Sequence, residues 1–244
     1  MSMKNIICMK WGNRYDAKYV NILAAMVKRH LTPPYRFVCF TDNVENIHPE
    51  VETFPLPEMQ LNQHDPERGW RKLTVFQEKL ADLSGPALYL DLDVVILNSL
   101  DDFFTVPGEF RIIKDWNLHG TIIGNSSVFR FEIGKHPDVL HRFYENRENI
   151  KKNFRNEQAF LSFAMHEKGV LEYWDADWCK SFKTHCMRTF PLGYFMAAKY
   201  PGTETKIVVF HGKPNPHEIC KNWHSHIFLR SVRPTSWFLE NWHE

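Results

Sequence analysis

The sequence predicts an α/β protein, with one domain over residues 1–220 built on a mostly parallel central sheet flanked by helices and a C-terminal extension over 221–244 packed on it. Three observations carry that reading: a strand, helix, strand opening, an apolar strand interrupted by two carboxylates one residue apart, and further strands alternating with helical patterns.

Ile6-Ile7-Cys8-Met9 reads as a short buried strand. Residues 16–30 then place Tyr19, Ile22, Leu23, Met26 and Val27 at a helical period, and residues 36–40 form a second strand ended by Thr41-Asp42-Asn43. Such a unit predicts parallel strands joined by a right-handed crossover. Residues 50–68, rich in Pro and polar side chains, read as a long excursion without regular structure. A helix over 72–82 leads through Ser84-Gly85-Pro86 into one continuous strand over 87–97, which carries Asp91 and Asp93. Beyond it, 110–113 and 127–131 alternate as strands, and 137–148 and 157–166 read as helices, the second capped by Asn156. Residues 206–210 are expected to be the final strand, and 223–244 take no assigned element.

The 30 Lys and Arg balance 29 Asp and Glu, so a net charge of +1 argues against a nucleic-acid or membrane surface held by bulk charge and leaves local basic patches open. Five cysteines without CxxC spacing support neither a disulfide framework nor a zinc site, and a reduced cytoplasmic compartment is the consistent expectation. No run approaches the ~18 apolar residues of a membrane span, so no integral membrane segment is expected, and peripheral attachment stays open. Aromatic residues make up 14% of the chain, eight of them Trp, which suits either core filling or ring stacking.

In a strand, Asp91 and Asp93 point to one face with Leu92 turned away. Two carboxylates so placed repel, and desolvating either without a partner is costly. A hard divalent cation, Mn²⁺ or Mg²⁺, compensates them directly, with a nucleotide diphosphate completing its shell. Turn capping, or pairing with a Lys or Arg, is the plainer reading. Their place at the carboxyl end of a core strand is where open α/β sheets bind ligands.

Further motifs follow in order: Asn13-Arg14-Tyr15-Asp16-Ala17-Lys18, Arg71-Lys72-Leu73, Tyr89-Leu90-Asp91-Leu92-Asp93, Gly124-Asn125-Ser126-Ser127-Val128-Phe129, Asn156-Glu157-Gln158-Ala159-Phe160-Leu161 and Phe210-His211-Gly212-Lys213-Pro214. In order and spacing this set resembles the GT-A-type glycosyltransferases, close to the glycogenin and lipopolysaccharide galactosyltransferase group of family 8, over most of the chain. The resemblance implies a Rossmann-like GT-A domain and a metal-dependent transferase that moves a hexose from a nucleotide diphosphate sugar, UDP-linked, to a glycan, glycolipid or protein hydroxyl with retention.

It also implies roles by position. His211 would join Asp91 and Asp93 as third metal ligand; by itself it reads as a capping or surface histidine. Gly212 would let backbone approach a phosphate and Lys213 would place a charge on it. Lys72, or Arg71 beside it, would reach the donor, and Tyr15 would stack on the base or simply pack. Asn125 and Ser126 would meet donor hydroxyls, while Glu157 and Gln158 would lie near the anomeric carbon as the catalytic pair. The family pattern is broken at Ser127, where Gly is usual, at Glu157, where Asp is usual, and in the contracted His-Gly-Lys-Pro-Asn-Pro. Trp174, Trp178 and Tyr194 stand as acceptor-stacking or packing residues. Two other functions fit the same carboxylates: a nucleotidyltransferase, which the single glycine of Met9-Lys10-Trp11-Gly12-Asn13-Arg14 disfavours, and a non-catalytic nucleotide-sugar-binding module.

Overall fold

A computed structural model describes residues 3–59, 69–225 and 229–244. In chain order the strands are β1 (Lys4–Lys10), β2 (Tyr35–Thr41), β3 (Glu52–Pro55), β4 (Pro86–Leu90), β5 (Val94–Ile96), β6 (Phe110–Lys114), β7 (Gly124–Glu132), β8 (Leu171–Tyr173), β9 (Cys179–Ser181), β10 (Ile207–Val209), β11 (Trp223–His224) and β12 (Ser231–Val232). The α-helices are α1 (Ala17–His30), α2 (Asp102–Thr105), α3 (Pro137–Glu145), α4 (Arg147–Asn153), α5 (Glu157–Glu167) and α6 (Ser236–Leu239).

Seven strands form the central sheet in the order β3-β2-β1-β4-β7-β6-β8. β3, β2, β1 and β4 run parallel, and β7 alone is antiparallel to both its neighbours. Both faces are covered, so the strands read as apolar runs. In β1, Ile6 and Cys8 pack with α1 on one face while Ile7 and Met9 pack with Leu73, Phe160 and Leu161 on the other. The α1 stripe of Tyr19, Val20, Ile22, Leu23, Met26 and Val27 is buried, and Lys28, Arg29 and His30 close its last turn, where cations favour the helix dipole. The opening unit is thus as its periodicity predicts.

Five expectations are corrected. The apolar run over 87–97 is two strands, because the chain turns at Asp91-Leu92-Asp93 and leaves the central sheet for a second one, β5-β10-β9. Apolar residues continue on both sides of the turn because both sheets are buried. Residues 52–55 are no excursion but an edge strand pairing with β2; residues 60–68 of that region lie outside the described residues. The helix expected over 72–82 is a 3₁₀ segment, Trp70–Phe76. Leu73, Thr74, Val75 and Phe76 are all buried, which one α-helical stripe cannot achieve, and the Thr74 hydroxyl bonds the Arg71 carbonyl at 2.7 Å. The helix over 137–148 breaks at Asn146 into α3 and α4.

β10 is not the last strand, since β11 and β12 form a hairpin in the tail. Trp237, Phe238 and Trp242 of the tail are buried in the same core as Phe182 and Phe210. All five cysteines are free thiols. Among the described residues, no helix is long and apolar enough to cross a membrane.

Candidate active site

The parallel strands end at a cavity of about 360 Å³, lined by Trp11, Arg14 and Tyr15 after β1, by Gly69 and Lys72, by Asp91 and Asp93 after β4, and by Glu157. A second hollow shares Lys10 and Tyr15 and continues over Gly12, Asn13 and Asn43. This is the carboxyl edge, where α/β sheets place ligands.

The turn that carries the carboxylates is held from two sides. Asp91 N–H donates to the Ser127 carbonyl at 2.9 Å, and Phe210 N–H donates to the Asp93 carbonyl at 2.9 Å. The Lys72 ammonium lies 2.8 Å from the Asp91 carboxylate and 3.8 Å from Glu157 Oε1, and donates to Ser126 Oγ at 3.3 Å. Ser126 Oγ in turn donates to Glu157 Oε1 at 2.7 Å, and Ser126 N–H donates to Gln158 Oε1 at 3.4 Å. Burial works against the lysine charge, but Asp91 and then Glu157 outweigh it and hold the lysine above its ordinary value. Of the two neighbours, Lys72 reaches the carboxylates, whereas an Arg71 guanidinium nitrogen is directed to the Pro57 carbonyl at 3.5 Å.

Asp93 has less compensation. Its Oδ2 accepts from the Tyr15 hydroxyl at 2.6 Å, yet burial, followed by the charge of Asp91, pushes its carboxyl up to about 7. The pair carries negative charge that its protein neighbours do not fully offset. Tyr15 is thus more than packing, although its ring also lies against Tyr19 at 4.7 Å and under the Arg14 guanidinium at 5.1 Å.

α5 delivers Glu157 and Gln158 as its first two residues. Asn156 caps the helix by accepting from Ala159 N–H at 3.3 Å. The longer acid at 157 is accommodated because residue 69 is glycine. A Cβ on Gly69 would meet Glu157 Oε2 at 2.7 Å, and its φ of +84° lies in the left-handed region. Asn125, buried in β7, accepts from Ser127 N–H at 3.0 Å.

The His211 segment is placed differently. Its backbone follows the Phe210 bond to Asp93, but the imidazole turns away: Nε2 lies 2.6 Å from Ser181 Oγ and the ring stacks on Trp116 at 5.7 Å and 13°. Burial and nearby Lys183 lower the His211 pKa, so the ring is neutral. Among the described residues, no three His, Cys, Asp or Glu side chains are grouped to hold a metal ion. Gly212 takes φ +81° with open space at its Cα, and the Lys213 ammonium pairs with Glu218 at 2.6 Å. Neither lines the cavity.

Of the three acceptor-stacking candidates, Trp174 is buried with its indole N–H on the Val128 carbonyl, Trp178 packs on Phe103, and Tyr194 stacks on His224. Sequence reasoning missed Gly69, Trp11 and Arg14 in the cavity wall and Ser181 and Trp116 around His211. Arg14 lay inside a motif already singled out, while Gly69 carries no signal beyond being a glycine.

No family model matches the sequence, and no curated protein is recognisably similar to it. Solved structures are. The galactosyltransferase LgtC, in complex with donor and acceptor sugar analogues, superposes with a TM-score of 0.58 at 16% identity over 87% of this chain and 88% of LgtC. The glycosyltransferase GlyE of Streptococcus pneumoniae TIGR4 gives 0.58 at 10% identity over 87% of this chain and 56% of GlyE, and the bifunctional glycosyltransferase WbbM 0.58 at 13% over 88% and 47%. The fold is that of the GT-A glycosyltransferases.

Proposed function

We propose that this chain is a glycosyltransferase that moves a hexose from a nucleotide diphosphate sugar, UDP-linked, to an acceptor hydroxyl with retention of anomeric configuration. The observation that carries the reading is the cavity at the carboxyl edge of a GT-A sheet, in which a partly uncompensated carboxylate pair, a buried lysine and a helix-start acid converge.

The residues fit a hard dication in part. Asp91 and Asp93 supply oxygen donors whose charge is in excess, as Mn²⁺ or Mg²⁺ prefers. His211 is neutral, as a ligand must be, and its backbone adjoins the carboxylate turn, but in this state Ser181 holds its ring. When bound, the ion would neutralise charge on the departing diphosphate.

The rest belongs to the chain. Trp11 and Tyr15 place aromatic side chains, of the kind that stack on a nucleobase, in the cavity wall, and Arg14 supplies positive charge in the same wall. Lys72 holds Asp91 in place and sets a fixed cation at the cavity floor. Glu157, oriented by Ser126 and Lys72, offers a carboxylate to the positive charge that develops on the sugar ring as the bond to phosphate lengthens. On the retaining route the leaving phosphate oxygen takes the acceptor proton on the same face, so no separate protein base is required.

The test is release of UDP from UDP-glucose or UDP-galactose with Mn²⁺ present. Activity that needs Mn²⁺ and falls by at least about a hundredfold in Asp91→Asn/Asp93→Asn supports the proposal. Metal-independent turnover or full activity of that variant overturns it, and tight UDP-sugar binding without transfer would make the chain a binding module instead.

A further inference from the structure

Three lysine or arginine residues are buried among the described residues: Lys10, Lys72 and Arg130. Two of them are satisfied inside the protein. Lys72 pairs with Asp91 at 2.8 Å, and Arg130 donates to the carbonyls of Phe103, Val106 and Gly108 at 2.8, 2.7 and 2.6 Å. Lys10 is 6% exposed, yet among the described residues its ammonium makes no ion pair or hydrogen bond. A cation withdrawn from water without a partner is costly, which favours any ligand that brings one.

Side chains alternate along β1, which sets Lys10 on the face of Ile6 and Cys8, toward α1. There it lines the donor cavity and also the second hollow, of about 380 Å³, enclosed by the loops after β1 and β2 and the first turn of α1. Asp16 and Glu45 of that hollow are exposed and pair with neither Lys10 nor each other, and Asp42 nearby accepts from Gly12 N–H at 2.8 Å.

Tyr15 stands between the two spaces. Its hydroxyl meets Asp93, where the proposed donor sets its diphosphate, and its other side borders the hollow that Lys10 shares. A nucleotide with its phosphates at the carboxylates and its base carried past Tyr15 therefore brings the base edge to Lys10. An ammonium donates and never accepts, so it reads what that edge presents. Uracil and guanine present keto oxygens, whereas adenine presents an amine in the corresponding place.

We propose that Lys10 selects the nucleobase of the donor by donating to a keto oxygen of uracil or guanine, and so disfavours adenine. The inference rests on the sugar-transfer reading and adds to it the residue that sets base preference.

The experiment is calorimetric titration of the full chain with UDP, GDP and ADP in the presence of Mn²⁺. UDP and GDP are each expected to bind at least about tenfold tighter than ADP, and Lys10→Met should erase the difference by weakening the two keto nucleotides alone. Lys10→Gln, which can also accept from an amine, should bring ADP within about threefold of UDP, and it decides the matter should Lys10→Met fail to fold. Because Lys10→Met removes an unpaired buried charge, its ligand-free melting temperature should equal or exceed that of the parent, whereas a lysine that serves packing would lower it on removal. GDP binding no tighter than ADP, an equal loss for all three nucleotides, or no loss in either variant would overturn the inference and leave the transferase reading intact. Failure of the folded parent chain to bind any of the three would overturn both.

Discussion

Two sides of the same turn are organised in opposite ways. On the central-sheet side, Asp91, Lys72, Glu157 and Ser126 form a closed chain of contacts, each polar group held by the next. On the second-sheet side, His211 comes next to the turn through the backbone alone, and its ring is engaged elsewhere by Ser181 and Trp116. The first side is assembled before any ligand arrives. The second is assembled in backbone only, with the His211 ring held on Ser181 and Trp116.

Breaking the closed side should have the largest effect. Lys72→Met removes the cation between two mostly buried carboxylates, leaving both without their ionic partner. A stability loss of about 3 kcal/mol in urea unfolding is expected, with transfer reduced at least a hundredfold. An unchanged urea midpoint would show that Asp91 and Glu157 do not depend on Lys72.

Asp93 supplies a pH signature on the same side. Its carboxyl lies near 7 in the fold and at 3.8 ordinarily, so between these values the folded state holds more protons than the unfolded one. The Asp93 contribution is thus fully present below about pH 4, is lost as pH rises through about 7, and is flat beyond. In EDTA-treated protein, Asp93→Asn should remove that decline and raise stability at pH 8 by about 2 kcal/mol. Parallel stability profiles for the two proteins would show that Asp93 ionises in the fold as freely as in the unfolded chain.

Gly69→Ala tests how the longer acid is accommodated. The new methyl group would press on the Glu157 carboxylate and sit at a positive φ, costing about 1 kcal/mol and lowering kcat about tenfold. Glu157→Asp withdraws the carboxylate by one methylene, so Gly69→Ala/Glu157→Asp should recover most of the lost kcat. If the double variant is no better than Gly69→Ala, backbone strain rather than the contact is responsible.

The same contrast separates what was legible in the sequence from what was not. The β1-α1-β2 unit and the Asn156 cap were readable because each rests on local period or local capping chemistry, and Lys72 and Glu157 were readable through ordered motifs. The turn at Asp91–Asp93 was hidden because Leu90, Leu92 and Val94 are buried on both sides of it, so hydrophobicity carries no mark of a change of sheet. The 3₁₀ segment at 70–76 was hidden for a related reason: its length fits a helix, and only tertiary burial of four successive residues excludes one. The orientation of His211 depends on Ser181, thirty positions away, and on Trp116, which no local pattern encodes.

Ser181→Ala is the finest probe of the open side. Ser181 is fully buried, and its hydroxyl both meets His211 Nε2 and accepts from Thr184 N–H at 3.1 Å. Removing it has two separable consequences. The lost cap at the start of 182–186 lowers stability by about 1 kcal/mol, which thermal unfolding reads. The freed imidazole loses a hydrogen bond worth about 1 kcal/mol, so reaching the carboxylates costs less and Mn²⁺ affinity by calorimetry should rise severalfold. Because the two readouts move in opposite directions, general loosening cannot mimic the result. Unchanged Mn²⁺ affinity alongside a lowered melting temperature would mean that His211 stays with Trp116 and that the carboxylates bind the ion without it.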